Sequence, residues 1–202
     1  MKKQYAILFF ASLLIIAFAA IAGSGRNSDL PAAPAIGSTI DDFKLPDANG
    51  KEHSLNSLKG KNGTVFIFVA TRCPVSNAYN ERMEALAQDY KAKGINVVGI
   101  NSNVTEPASE VKTHAADKHL TFIILKDEGN KIADRFGAAK TPEAYVLDAN
   151  NKLVYHGRID NAQNPANITA NDLRNALDEV LAGKQVSKTG GLAFGCSIKR
   201  TS

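Results

Sequence analysis

Thr64-Val65-Phe66-Ile67-Phe68-Val69-Ala70, followed at once by Thr71-Arg72-Cys73-Pro74, decides the fold of this chain. Beyond Thr64 the run is β-branched, aromatic or small, the composition of a strand buried on both faces of a sheet. From Val75 to Lys93 the apolar residues Tyr79, Met83, Leu86, Ala87 and Tyr90 recur at helical spacing, and Gly94 closes that helix. A central strand thus runs directly into a helix, with a cysteine at the junction.

Working outward, residues 95–100 read as a strand, 108–119 as a helix, 121–125 as a strand and 131–136 as a short helix. This alternation predicts an α/β fold. The order then changes. Residues 143–147 and 153–159 read as two strands joined by Asp148-Ala149-Asn150-Asn151, a turn-forming set that predicts a hairpin. A last helix over 171–181 carries Leu173, Ala176, Leu177, Val180 and Leu181 on one face. Upstream, residues 41–58 alternate around Asn49-Gly50, an edge-hairpin signal. Residues 184–202 show no period, include Gly190-Gly191, and are expected to form a mobile tail carrying Cys196.

With 202 residues, 44% hydrophobic and 22% charged, the chain suits one globular domain with a real core. Its formal charge is +4, but Lys2 and Lys3 stand before an apolar run over 5–22 that ends in Ala20-Ile21-Ala22. That small-x-small ending predicts a cleaved export leader over 1–22. An uncleaved membrane anchor is the alternative, since the run is close to the roughly 17-residue lower limit for spanning a bilayer. Either way the domain is expected outside the cytoplasm: periplasmic, secreted, or anchored and facing outward. Residues 23–39, rich in Gly, Ser, Ala and Pro, predict a flexible linker, and the folded domain is expected over 40–183. The remaining basic residues are scattered among acids, which argues against a nucleic-acid partner. No cofactor motif appears, and His114 and His119, five apart, miss the i, i+4 spacing of a helical metal pair.

Chemistry concentrates at Cys73. A cysteine that follows a strand and opens a helix sits where backbone N–H groups and the helix dipole favour a thiolate. Arg72 adds a neighbouring positive charge; together such effects lower a cysteine pKa from about 8.5 into a range of about 3.5–7.5. Pro74 fits the first helical turn, where its missing N–H costs nothing. Ser76 is either a hydrogen-bond donor to the thiolate or a local cap. Cys196, the other cysteine, is either a distant resolving thiol or one end of a structural disulfide.

Beyond these local features, the segment Phe68-Val69-Ala70-Thr71-Arg72-Cys73-Pro74-Val75-Ser76 resembles the active-site segment of exported TlpA or ResA type thiol-disulfide oxidoreductases. Arg72 stands in place of their tryptophan and Ser76 in place of their second cysteine. More narrowly, Cys-Pro-Val-Ser-Asn at 73–77, Tyr155-His156-Gly157-Arg158-Ile159-Asp160 and Gly195-Cys196-Ser197-Ile198-Lys199 resemble the peroxiredoxin-like group of the AhpC/TSA superfamily. The resemblance spans roughly 40–183. It implies a thioredoxin-like three-layer sandwich with a central mixed sheet, a cis-proline at Thr141-Pro142 facing the active cysteine, and thiols or disulfides, protein or small-molecule, as partners. Arg158 and Asp160 belong to the motif and suggest an ion pair with each other.

The departures separate the reactions. A peroxiredoxin would carry Pro and Thr seven and three positions before its cysteine, which aligns with Ser76; Phe66 and Ala70 stand seven and three positions before Cys73. Thiol-disulfide exchange, with Cys73 attacking and Cys196 resolving, is therefore the leading expectation. Hydroperoxide reduction, an antioxidant role, is the runner-up. A third alternative is a non-catalytic module that uses the groove to hold a partner or a soft metal such as Cu(I); Asn77, where copper-delivery relatives have the second cysteine of CxxxC, argues against it.

Overall fold

The computed structural model describes residues 31–201; the expected leader and the first part of the expected linker lie outside the described residues. The elements, in chain order, are β1 (Lys44–Pro46), β2 (Glu52–Ser54), α1 (Leu55–Leu58), β3 (Gly63–Phe68), α2 (Pro74–Ala78), α3 (Asn80–Lys91), β4 (Ile95–Asn101) and α4 (Ala108–Asp117). They continue with β5 (Ile123–Lys126), α5 (Lys131–Phe136), β6 (Lys140–Thr141), β7 (Glu143–Asp148), β8 (Leu153–Gly157), α6 (Asp172–Leu181), β9 (Gly190–Gly191) and β10 (Cys196–Ser197).

Six strands form one mixed sheet in the order β5-β4-β3-β7-β8-β9. β3 runs parallel to β4 and antiparallel to β7, so it is the central strand that its composition predicts. Every residue of β3 is buried, and its side chains alternate between two cores as the period of 2 requires. Val65 and Ile67 pack with Tyr79, Met83 and Leu86 of the α2–α3 segment and with Leu173 and Leu177 of α6. Phe66 and Phe68 face the opposite cluster, which holds Ile132 and the rings of Phe43, Phe136 and Tyr145; the rings of this cluster meet tilted or edge-on at 5.0–6.1 Å. Helices thus cover both faces of the sheet, a three-layer α/β sandwich with the expected hairpin of β1 and β2 at its N-terminal side.

Several expectations are corrected. The single helix expected over 75–93 breaks at Tyr79, whose N–H turns to the Ser76 carbonyl (3.0 Å) in a tighter i−3 bond. The strand expected from 121 starts at Ile123, because the Thr121 N–H bonds the Glu84 carboxylate (2.7 Å) instead of a neighbouring strand. Of the expected linker, residues 31–39 lie on the domain: Gly37 donates to the Leu153 carbonyl (2.7 Å), and Leu153 donates to that of Ser38 (2.9 Å).

The expected mobile tail is also part of the fold. Gly190 and Gly191 add β9 to the sheet edge beside β8, and Ile198 is buried in the second core. A Cβ at Gly190 would collide with the His156 carbonyl, so glycine permits this approach. Both segments dock through backbone groups and isolated side chains, which leave no period in the sequence.

Candidate active site

The loop between β3 and α2 is fixed residue by residue. Its three successive N–H groups are claimed by side chains: Ala70 donates to Ser76 Oγ (3.1 Å), Thr71 to Glu106 Oε2 (2.9 Å) and Arg72 to Glu106 Oε1 (3.0 Å). Asn77 Nδ2 donates to the Thr71 carbonyl (2.9 Å). Cys73 is the N-cap of α2, Pro74 its first residue, and Cys73 Sγ accepts the Ser76 N–H at 3.3 Å. That donor stabilises negative charge on the sulfur.

Opposite this loop, the Thr141–Pro142 peptide is cis, and the Thr141 carbonyl oxygen lies 3.4 Å from Cys73 Sγ. β10 pairs antiparallel with β6, placing Cys196 opposite Thr141 and Ser197 opposite Lys140. Cys73 and Cys196, 123 positions apart, are joined as a disulfide with Cα atoms 5.9 Å apart, within the range that a bridge needs. Gly195 makes the approach feasible: it adopts φ +145°, and a Cβ there would run into the Thr141 carbonyl. Cys73 is buried, only 3% exposed, whereas Cys196 is half-buried.

The side chains named from the sequence are placed differently from expectation in three cases. Ser76 offers Cys73 its backbone N–H, while its hydroxyl accepts from Ala70. The Arg72 guanidinium is engaged by Glu110, with Nε 2.9 Å from Oε1, so its charge is matched within its own pair. Arg72 and then Thr71, whose hydroxyl also donates to Glu110, hold that carboxyl down at about 2. Arg158 and Asp160 do not pair with each other. Arg158 Nε meets Asp172 at 2.5 Å, and Asp160 takes Arg82 Nη1 at 2.6 Å and the Tyr79 hydroxyl at 2.8 Å.

Three carboxylates were missed from the sequence. Buried Glu106 holds the two N–H groups before Cys73 and also accepts from Asn101 Nδ2 (2.6 Å) and Asn103 Nδ2 (3.3 Å). Glu110 is one helical turn on; the Glu-Pro-x-x-Glu spacing at the start of α4 was the available signal. Buried Glu143 follows the cis-proline, accepts from the N–H groups of Ala139 (2.8 Å) and Lys140 (2.9 Å), and meets His156 Nε2 at 2.6 Å. Burial pushes the Glu143 carboxyl up, but these donors outweigh it and hold it below its ordinary value. An acid opening the otherwise apolar 144–147 run was its signal.

The site therefore joins a capped sulfur, a second sulfur and an oriented carbonyl on braced backbone, an arrangement able to cycle between dithiol and disulfide. Among the described residues there is no cluster of three or more His, Cys, Asp or Glu side chains that would hold a metal. The AhpC/TSA family model matches residues 36–156. The thiol-disulfide oxidoreductase ResA of Geobacillus thermodenitrificans is 30% identical over 155 residues, covering 76% of this chain and 87% of that protein. The chloroplastic peroxiredoxin Q of Sedum lineare is 32% identical over 142 residues, 66% of this chain and 75% of that one. Among solved structures, a hypothetical protein of Sinorhizobium meliloti superposes with a TM-score of 0.78 at 36% identity, covering 85% of this chain and 97% of the other.

Proposed function

Because this chain belongs to the AhpC/TSA family of redoxins, which makes it a thiol oxidoreductase, we propose that it is an exported thiol-disulfide oxidoreductase in which Cys73 attacks and Cys196 resolves. The observation that carries the reading is the Cys73–Cys196 bond formed against the Thr141 carbonyl. The apolar run over 5–22 supports export, and so does a disulfide, which persists in oxidising compartments.

The Cys73 thiolate, accepting the Ser76 N–H, attacks a disulfide RS–SR; a Cys73–SR bond forms and RS⁻ leaves. The Cys196 thiolate then attacks the Cys73 sulfur, forming the intramolecular disulfide and releasing the second RS⁻. Two electrons pass from the protein dithiol to the substrate, and the two cysteine protons end on the released thiols. An outside thiol donor restores the dithiol. No residue next to Cys73 plays this resolving part, since Ser76 occupies the place of a CxxC partner.

The test is to trap the reduced protein in the act with a small disulfide and map the adducts by mass. Wild type is expected to give the Cys73–Cys196 peptide, and Cys196→Ser to stall as a mixed disulfide on Cys73. Turnover that survives Cys73→Ser sinks the reading. The similarity to peroxiredoxin Q favours hydroperoxide reduction as the second reading. It prevails if hydrogen peroxide converts Cys73 to a sulfenic acid far faster than it does a free thiol, while disulfides do not react.

A further inference from the structure

Resting on the thiol-disulfide reading above, we infer that this site takes low-molecular-weight disulfides and excludes extended polypeptides, because the chain's own β10 occupies the edge at Thr141 in both redox states. A polypeptide substrate binding by strand addition needs free N–H and C=O groups along a sheet edge. Here β10 pairs along β6, and Ile198 donates to the Ala139 carbonyl at 3.1 Å. The edge beside the cis-proline is taken.

What holds β10 there does not depend on the sulfur bond. Upstream of Cys196, Arg158 donates to the Gly191 carbonyl (3.2 Å) and His156 to that of Thr189 (3.0 Å). Lys188 Nζ lies 2.7 Å from Asp172 Oδ1, and the Phe194 ring packs edge-on against Tyr79 at 6.2 Å. Downstream, Ile198 is buried at 5% exposure, and the Lys199 N–H donates to Asn103 Oδ1 at 2.8 Å. The Lys199 carbonyl accepts from the Val104 N–H (3.1 Å), and Arg200 bridges Asp134 (2.9 Å) and the Ala138 carbonyl (2.6 Å). Reduction cuts one bond among these.

After reduction the Cys196 side chain is free to turn about its own χ1, but its backbone stays clamped on both flanks. The aperture over Cys73 is thus of side-chain width, not strand width. A molecule such as glutathione disulfide passes; a strand of a protein substrate has to peel β10 away first.

The experiment follows oxidation of the reduced full chain by glutathione disulfide and by insulin, each rate divided by that of dithiothreitol with the same oxidant. The expected result is a normalised rate at least tenfold higher for glutathione disulfide. Ile198→Ala, which loosens the clamp while keeping both cysteines, is expected to shift the ratio at least tenfold toward insulin. Hydrogen exchange on wild type provides the second readout: the Ile198 and Lys199 amides are expected to stay protected in the dithiol form. Equal normalised rates, or loss of that protection on reduction, overturn the inference and leave the thiol-disulfide reading standing. Reaction with neither oxidant overturns that reading itself, and this inference with it.

Discussion

Reducing Cys73–Cys196 is the perturbation whose magnitude the structure fixes most directly. The two residues are 123 apart in sequence. In the chain-entropy description, releasing a loop of that size returns about 16 cal/mol/K to the unfolded chain, about 4.9 kcal/mol at 25 °C. Hydrogen bonds on both flanks of Cys196 hold the native tail without the sulfur bond, so the change falls almost wholly on the unfolded state. For a chain of 150–250 residues each kcal/mol moves the melting midpoint by about 2–4 °C, which predicts a fall of roughly 10–20 °C. The assay is thermal unfolding followed by circular dichroism, oxidised against dithiothreitol-reduced, with Cys196→Ser as a reductant-free control. A fall of less than about 3 °C in both would refute the loop-closure reasoning.

Three further outcomes are expected. Ser76→Ala leaves the buried Ala70 N–H without its acceptor and should cost about 1–3 kcal/mol in urea unfolding; an unchanged stability with slowed Cys73 chemistry would instead assign the hydroxyl to the thiolate. Glu110, held at about 2, stabilises the native loop fully above its ordinary value of 4.5, and that contribution fades as pH falls toward 2. The stability gap between wild type and Glu110→Gln should therefore be open at pH 7 and closed near pH 2, and a gap that does not narrow contradicts the pairing with Arg72 and Thr71. Glu143→Ala leaves two N–H groups beside the cis-proline and His156 Nε2 without their acceptor, with an expected loss of about 1–3 kcal/mol by denaturant titration; an unchanged stability would show that the loop holds itself.

What is legible in the sequence is what side-chain burial and turn chemistry write into it. β3 announces itself as an unbroken apolar run buried on both faces, α6 by one apolar face at a period of 3.6, and the hairpin of β7 and β8 by the turn set between them. Cys73 was visible because a strand ran straight into a helix there. The segment over 31–39 and the strands β9 and β10 were invisible, since they attach by backbone hydrogen bonds at glycines or single side chains. The braces were hidden for another reason. Glu106 lies 35 positions from Thr71 and acts on its N–H alone, so nothing near Cys73 in the sequence points to it. Arg72 and Ser76 were found by position, yet their bonds go elsewhere because Glu110 and Ala70 compete for them.

The distance along the chain between the two sulfurs has a consequence during synthesis. At about 5–20 residues per second, the 123 positions between Cys73 and Cys196 take roughly 6–25 s to make. Through that interval the growing chain carries Cys73 without the residue that closes over it, and β6, which supplies the facing carbonyl, is made only about halfway through it. A disulfide in the surroundings can exchange with the newborn Cys73 thiolate before Cys196 exists, leaving one half on Cys73 and releasing the other as a thiolate. Where that happens, the Cys73–Cys196 bond forms only when the Cys196 thiolate displaces that half.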